Sequence, residues 1–120
     1  LYLGNDNTVF SAVNAVAEVC LQKRLPLVTA DPTSAESVPV LAALGFDYYQ
    51  MGRATGRIVA RILKGEKPGA IPTYFPSAPA EKSLVLNLDV AAKLGLSPTA
   101  DMVAQATAVV RNGTVERRKK

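Results

Sequence analysis

Asn5, Asp6, Asn7 and Thr8 form an unbroken polar run inside LYLGNDNTVFSAV, between an apolar start and an apolar continuation. Side chains this short and polar can do two things at such a joint. One of Asp6, Asn7 or Thr8 can cap a helix beginning near Val9, accepting from backbone N–H groups that have no partner of their own. The others can face a small solute: a helix N-terminus attracts an anion such as a carboxylate, and a spare aspartate attracts an ammonium. Capping needs one residue and the chain offers four, so both readings stand. Asp31 repeats the situation, since it follows the short apolar run LPLVTA and opens the polar, proline-containing stretch DPTSAESVP.

The chemistry the chain cannot do is as informative. It has no histidine and one cysteine in 120 residues. A histidine general base, a Ser-His-Asp triad and a cysteine–histidine zinc site are therefore excluded for this chain alone. Cys20, among Val16, Val19 and Leu21, reads as a small buried apolar residue without an internal disulfide partner. No cofactor or metal is expected. Arg53, Arg57, Arg61 and Lys64 recur at helical spacing, as the solvated face of an amphipathic helix or a surface for an acidic partner. GRATG lacks the Lys-Ser/Thr that completes a phosphate loop, so its two glycines permit close helix approach. In FDYY, Asp47 is placed to cap a helix, and the aromatics pack its start or stack a ligand.

These residues need elements to hold them. A chain of this length, 48% hydrophobic and 20% charged, can bury a core as one domain or one lobe of a larger protein. No apolar run reaches the roughly 18 residues needed to span a bilayer. The net charge of +4 resides in residues 111–120, with five basic residues and one acidic, which read as a solvated basic tail. No aromatic interleaving supports a nucleic-acid groove, so no nucleic-acid partner is expected.

Apolar periodicity predicts a strand end at Leu1 to Leu3 and a helix from Val9 to Arg24, with Val9, Val13, Val16 and Cys20 inward. It then predicts a strand through Leu27, Val28 and Thr29, a loop over residues 31–39, and a strand in VLAALGF. A second helix runs from Asp47 to Lys64, with Met51, Thr55, Ile58 and Ile62 inward. IPTYFP and SLVLNL read as strands, Asp89 to Leu94 as a short helix, and SPTADMVAQATAVV as a last helix capped by Ser97 or Thr99. Strands alternating with helices imply an α/β fold with a parallel sheet. Such sheets bind ligands at the carboxyl ends of their strands. Residues 5–8 and Asp31 both follow strands and would share that rim.

In this order, NDNTVFSAVNAV, LPLVTAD, LAALGFDYYQMGRATGRIVARILKGEKPGAIP and LVLNLDVAAKLGL resemble one family, the ABC-transporter substrate-binding proteins of the tryptophan/tyrosine-binding type. The resemblance runs over residues 1–110. Relatives commonly carry a basic residue and a glycine shortly before the LGFDYY segment, where this chain has Ser37, Val38 and Pro39. The resemblance implies a type I periplasmic-binding-protein-like lobe. It implies that residues 1–110 are the C-terminal part of a two-lobed protein, mostly one lobe, with the basic tail of residues 111–120 beyond. It implies no enzyme but a solute-binding component of an ABC importer, periplasmic or lipid-anchored at the cell surface. Its ligand would be a small polar solute, an amino acid and aromatic ones included, and its partner a membrane permease. Asn5, Asp6, Asn7, Thr8 and Asp31 would line the interlobe cleft, and a lone lobe would be prone to form a homodimer. Two other functions fit the same residues: the effector-binding domain of a transcription repressor, and an α/β enzyme fragment using Asp6 or Asp31 as a base.

Overall fold

The computed structural model describes residues 1–118. The chain divides into two compact units: Leu1–Gly45 together with everything from Ser83 onward, and Phe46–Lys82.

The first unit carries a sheet whose six strands lie side by side in chain order. They are β1 (Tyr2–Leu3), β2 (Val28–Thr29), β3 (Ala42–Phe46), β4 (Lys82–Asn87), β5 (Ala108–Arg111) and β6 (Thr114–Arg117). β1, β2 and β3 are parallel, with Tyr2 beside Val28 and Val28 beside Ala42. β4 and β5 are also parallel, with Val85 beside Ala108. The α/β class is the expected one. The sheet is mixed at two junctions that the alternation of elements did not reveal. The Asn87 N–H donates to the Leu41 carbonyl at 2.9 Å, so the end of β4 lies against the start of β3 and the two strands run in opposite directions. β6 folds back antiparallel on β5, with Val110 beside Val115.

Helices cover the sheet. The run from Val9 to Arg24 is two helices, α1 (Asn7–Ser11) and α2 (Val13–Gln22), broken at Ala12. The buried face is Val13, Ala17 and Cys20, one step round from the predicted stripe, and Val9 is exposed. The stretch predicted as a loop includes the single turn α3 (Ser34–Ser37). α1, α2 and α3 pack one face of the sheet around Leu27, Val40, Ala43, Val85 and Val110. On the other face a smaller cluster joins Leu86, Val109 and Ala106 to Leu84, Leu88 and Val103. It lies next to α5 (Leu88–Lys93) and α6 (Ala100–Gln105). The helix predicted through Val110 therefore ends at Gln105, and its valines are β5. Most of the predicted basic tail is hairpin: Arg111 ends β5 and Arg117 ends β6. Lys119 and Lys120 lie outside the described residues.

The second unit is α4 (Tyr48–Leu63) followed by irregular chain with short 3₁₀ turns at Pro68–Ala70 and Pro79–Glu81. IPTYFP is not a strand; Pro72 and Pro76 remove N–H donors a ladder would need. Of the predicted inward stripe, Met51 and Ile58 are half-buried, while Thr55 and Ile62 are exposed and Ala54 is the buried residue of α4. The Asp47 N–H donates to the Glu81 carbonyl at 2.7 Å and closes the unit at its base.

Candidate functional site

The joint after β1 divides the two jobs among its four residues. Asp6 is the N-cap of α1: its carboxylate accepts from the Val9 N–H at 2.9 Å, and its carbonyl from the Phe10 N–H at 2.9 Å. The side chains of Asn5, Asn7 and Thr8 are exposed and make no hydrogen bond among the described residues. One residue satisfies the helix, and three stay free to meet something else.

Asp31 stands on the same edge of the sheet. β1 and β2 are parallel neighbours, and the Ala30 N–H donates to the Leu3 carbonyl at 2.9 Å. The chain thus leaves both strands at their carboxyl ends, into residues 4–8 on one side and Asp31 on the other. The structure brings the five predicted residues to one rim.

Asp31 is held firmly. Its carboxylate accepts from the Thr33 N–H at 3.1 Å and from the Thr33 hydroxyl at 2.7 Å, each oxygen taking one. A carboxylate has about four acceptor positions, so about half remain open to an incoming cation. Beneath it lies a hydroxyl pair that sequence reasoning missed. Thr29, fully buried, and Ser34, 5% exposed, share a hydrogen bond of 2.6 Å. Each hydroxyl has one proton to give. Ser34 lies 2.7 Å from the Asp31 carbonyl and Thr29 3.3 Å, so Ser34 donates to that carbonyl and Thr29 to Ser34. The pair was invisible because TAD and TSA read separately as a strand end and a loop. Only a hydroxyl at the buried position of β2 hinted at it.

At the opposite edge of the sheet, where β4 ends beside the start of β3, Asn87 caps α5 by accepting from the Val90 N–H at 3.0 Å, and its amide donates to the Ala35 carbonyl at 3.3 Å. Asp89 accepts from the Gly113 N–H at 2.8 Å and the Asn112 N–H at 2.9 Å. The Gly113 N–H, then that of Asn112, holds the Asp89 carboxyl below its ordinary range.

Two hollows are lined by other residues. One, about 320 Å³ in the first unit, is apolar: Val28, Leu41, Ala42, Leu86, Leu96, Ser97, Pro98 and Met102. The other, about 290 Å³ in the second unit, lies between Met51, Thr55 and Ile58 of α4 and the Tyr74–Pro76 stretch. The basic stripe of α4 is partly spent within the helix end itself, because Arg61 forms a two-pronged pair with Glu66, at 2.6 and 2.5 Å. That hydrogen bonding raises the Arg61 pKa and lowers that of Glu66. Among the described residues no cluster of side chains could hold a metal ion, and no helix is long and apolar enough to cross a membrane.

Free polar side chains on the carboxyl rim of an α/β sheet stand where such folds bind ligands. Residues 1–110 match the model of the family described as ABC transporter substrate binding protein, and the chain belongs to that family. It is similar to a tyrosine-binding protein of Clostridioides difficile, 28% identical over 89 residues, a match covering 74% of this chain and 25% of that protein. A crystal structure of a conserved domain protein from Vibrio cholerae superposes with a TM-score of 0.74 at 34% identity, covering 92% of this chain and 36% of that one. A crystal structure of an ABC domain from Streptococcus pneumonia, in complex with L-Trp, superposes with a TM-score of 0.76 at 26% identity, covering 91% and 36%. The chain thus spans about a third or less of each relative's length. The family is one of substrate-binding proteins, which supports a solute-binding role.

Proposed function

We propose that this chain supplies one side of the solute cleft of an ABC importer's binding protein, and that the solute is an amino acid with an aromatic side chain. The observation that carries the reading is the division of labour after β1. Asp6 alone caps the helix, while Asn5, Asn7 and Thr8 stay unpartnered beside an Asp31 with open acceptor positions. An amino-acid ligand has the matching groups: an ammonium for a carboxylate, and a carboxylate for amide and hydroxyl donors. The family supports the binding role, and the tyrosine-binding relative and the L-Trp complex support the ligand class.

Residues 1–110 are then the C-terminal part of a two-lobed protein, and closure of the lobes buries the solute. Delivery to a membrane permease and an extracytoplasmic location follow from the same role. The apolar side chains most exposed in this chain, Leu63 at 82% and Phe75 at 76%, are explained by contact with the remaining length of such a protein. The homodimer expected of a lone lobe draws no support from the relatives.

The test uses the family-length protein with Asp6→Ala, Asn7→Ala, Thr8→Ala and Asp31→Ala, each followed by melting and by calorimetric titration with L-tyrosine and L-tryptophan. Asp6→Ala loses the cap and about 0.5–2 kcal/mol of stability. Asn7→Ala and Thr8→Ala keep most of the parent's stability, Asp31→Ala gives up some of it with its two Thr33 bonds, and all three lose about 1–3 kcal/mol of binding for each polar contact to a charged ligand group. Four variants that bind both amino acids as tightly as the parent would remove the cleft assignment and leave an over-supplied helix cap.

A further inference from the structure

Gly45 differs from the other seven glycines of the chain. Gly65, Gly95 and Gly113 have positive φ, and a Cβ on Gly4, Gly52, Gly56 or Gly69 would meet nothing within 4 Å. Gly45 lies in a strand, and a Cβ there would collide with the Ala30 carbonyl and would sit 2.6 Å from Cδ and 3.0 Å from Cγ of Pro32. A glycine inside a strand often marks such a close approach of another piece of backbone. Here the approaching piece is the end of β2 and the loop that carries Asp31.

That loop has nowhere to retreat. Pro32 is buried against the glycine, and beneath it Thr29 and Ser34 tie the Asp31 carbonyl down through their hydroxyl pair. The Ala30 carbonyl that a Cβ would strike is one residue from Asp31, and it is backbone, so it cannot swing aside as a side chain end would. A methyl group at position 45 has to push residues 30–32 away from β3, and the Asp31 carboxylate travels with them.

We infer that Gly45 is a positioning residue for ligand binding: its missing side chain is the notch that seats Ala30 and Pro32 and thereby fixes where the Asp31 carboxylate meets the ligand ammonium. The inference rests on the reading of Asp31 as a ligand contact. Gly45 itself touches no ligand in this scheme and acts only through the loop.

The experiment is a double-mutant cycle in the family-length protein, with binding of L-tyrosine and of its deaminated analogue, hydroxyphenylpropanoate, read by calorimetry. Asp31→Asn weakens L-tyrosine by about tenfold or more, the loss of a hydrogen bond to a charged group, and leaves the analogue unchanged. Gly45→Ala weakens L-tyrosine by a similar factor, also spares the analogue, and adds nothing further in the Asp31→Asn background. Pro32→Ala, which empties the notch from the other side without introducing a clash, repeats the pattern more mildly and serves if Gly45→Ala does not fold.

Additive losses in the double variant, or equal losses for both ligands, mean that position 45 matters only to the fold, and the inference is overturned. Unchanged L-tyrosine binding in both Gly45→Ala and Pro32→Ala overturns it as well. An Asp31→Asn protein that binds L-tyrosine normally, or a parent that binds no L-tyrosine, removes the underlying binding reading and this inference with it. Those outcomes are distinguishable from the preceding ones, because there the Asp31→Asn loss is intact.

Discussion

Single side chains divide into those that support the fold and those left over for a ligand. Cys20 belongs to the first kind: it is 4% exposed on the sheet-facing side of α2, beside Val13 and Ala17. Asp89 also belongs there, although it is charged. Its carboxylate grips the two N–H groups at the tip of the β5–β6 hairpin, and those bonds favour the ionised form. The sign of its contribution follows from that. The unfolded chain's carboxyl titrates near its ordinary value of 3.8, and the folded one lower. Above that ordinary value both states are ionised and the stabilisation is fully present. As the pH falls through it, the unfolded state takes up the proton first, and the contribution is gone once the folded carboxyl is protonated too. Asp89→Asn should therefore lower the melting temperature at neutral pH and flatten the decline on acidification. Melting curves between about pH 7 and about pH 2 check this, and a variant whose acid decline parallels the parent's would refute it.

At the scale of elements, local signals were legible and non-local ones were not. Three helix starts were marked by capping candidates: Asp47 alone for α4, one of Asp6, Asn7 or Thr8 for α1, and Ser97 or Thr99 for α6. The structure uses Asp6, Asp47 and Thr99, each accepting from a backbone N–H three residues on. The strand ends that place residues 5–8 and Asp31 on one rim were readable too, because short apolar runs stop at polar clusters. What brings Thr29 to Ser34, or Pro32 to Gly45, is packing between elements, and no period in the sequence encodes it. One local signal was overlooked. Asn112 and Gly113, with φ of 51° and 70°, form a two-residue turn between VVR and TVE. An Asn-Gly pair flanked by β-branched residues is a strong hairpin mark. The surrounding arginines and lysines hid it as a charged tail. Gly113→Ala places a Cβ in the left-handed region and should cost about 1–2 kcal/mol. Denaturant melts of the variant measure it, and a loss too small to resolve would mean that the turn relaxes to another type.

At the scale of the whole molecule, the family match and the division into two units describe different things. The match runs through residues 1–110 without interruption, whereas the compact units interleave along the chain. The first unit has two clusters of buried side chains, one on each face of its sheet. The second buries Ala54 on its helix and leaves Tyr49, Leu63 and Phe75 more than 70% exposed. A unit of that size with so little interior cannot supply its own stability.

The opposed directions of β3 and β4 have a consequence for how the chain could be cut and rejoined. Parallel neighbours must be linked by a long crossover, but antiparallel neighbours need only a tight turn. β3 and β4 are adjacent in the sheet and antiparallel, so residues 46–82 are topologically an excursion and not a link the sheet requires. In engineering terms they are a removable cassette. Replacing them with an Asn-Gly turn between Gly45 and Ser83 converts the two strands into an ordinary hairpin and leaves strand order, both buried clusters and the rim residues untouched. The shortened protein should melt cooperatively and keep its α/β circular dichroism. A broad, non-cooperative melt would show that the excursion helps to hold the sheet together. If the sheet survives, the same site becomes a socket in which cassettes from relatives can be exchanged while the Asn5–Thr8 and Asp31 rim stays constant.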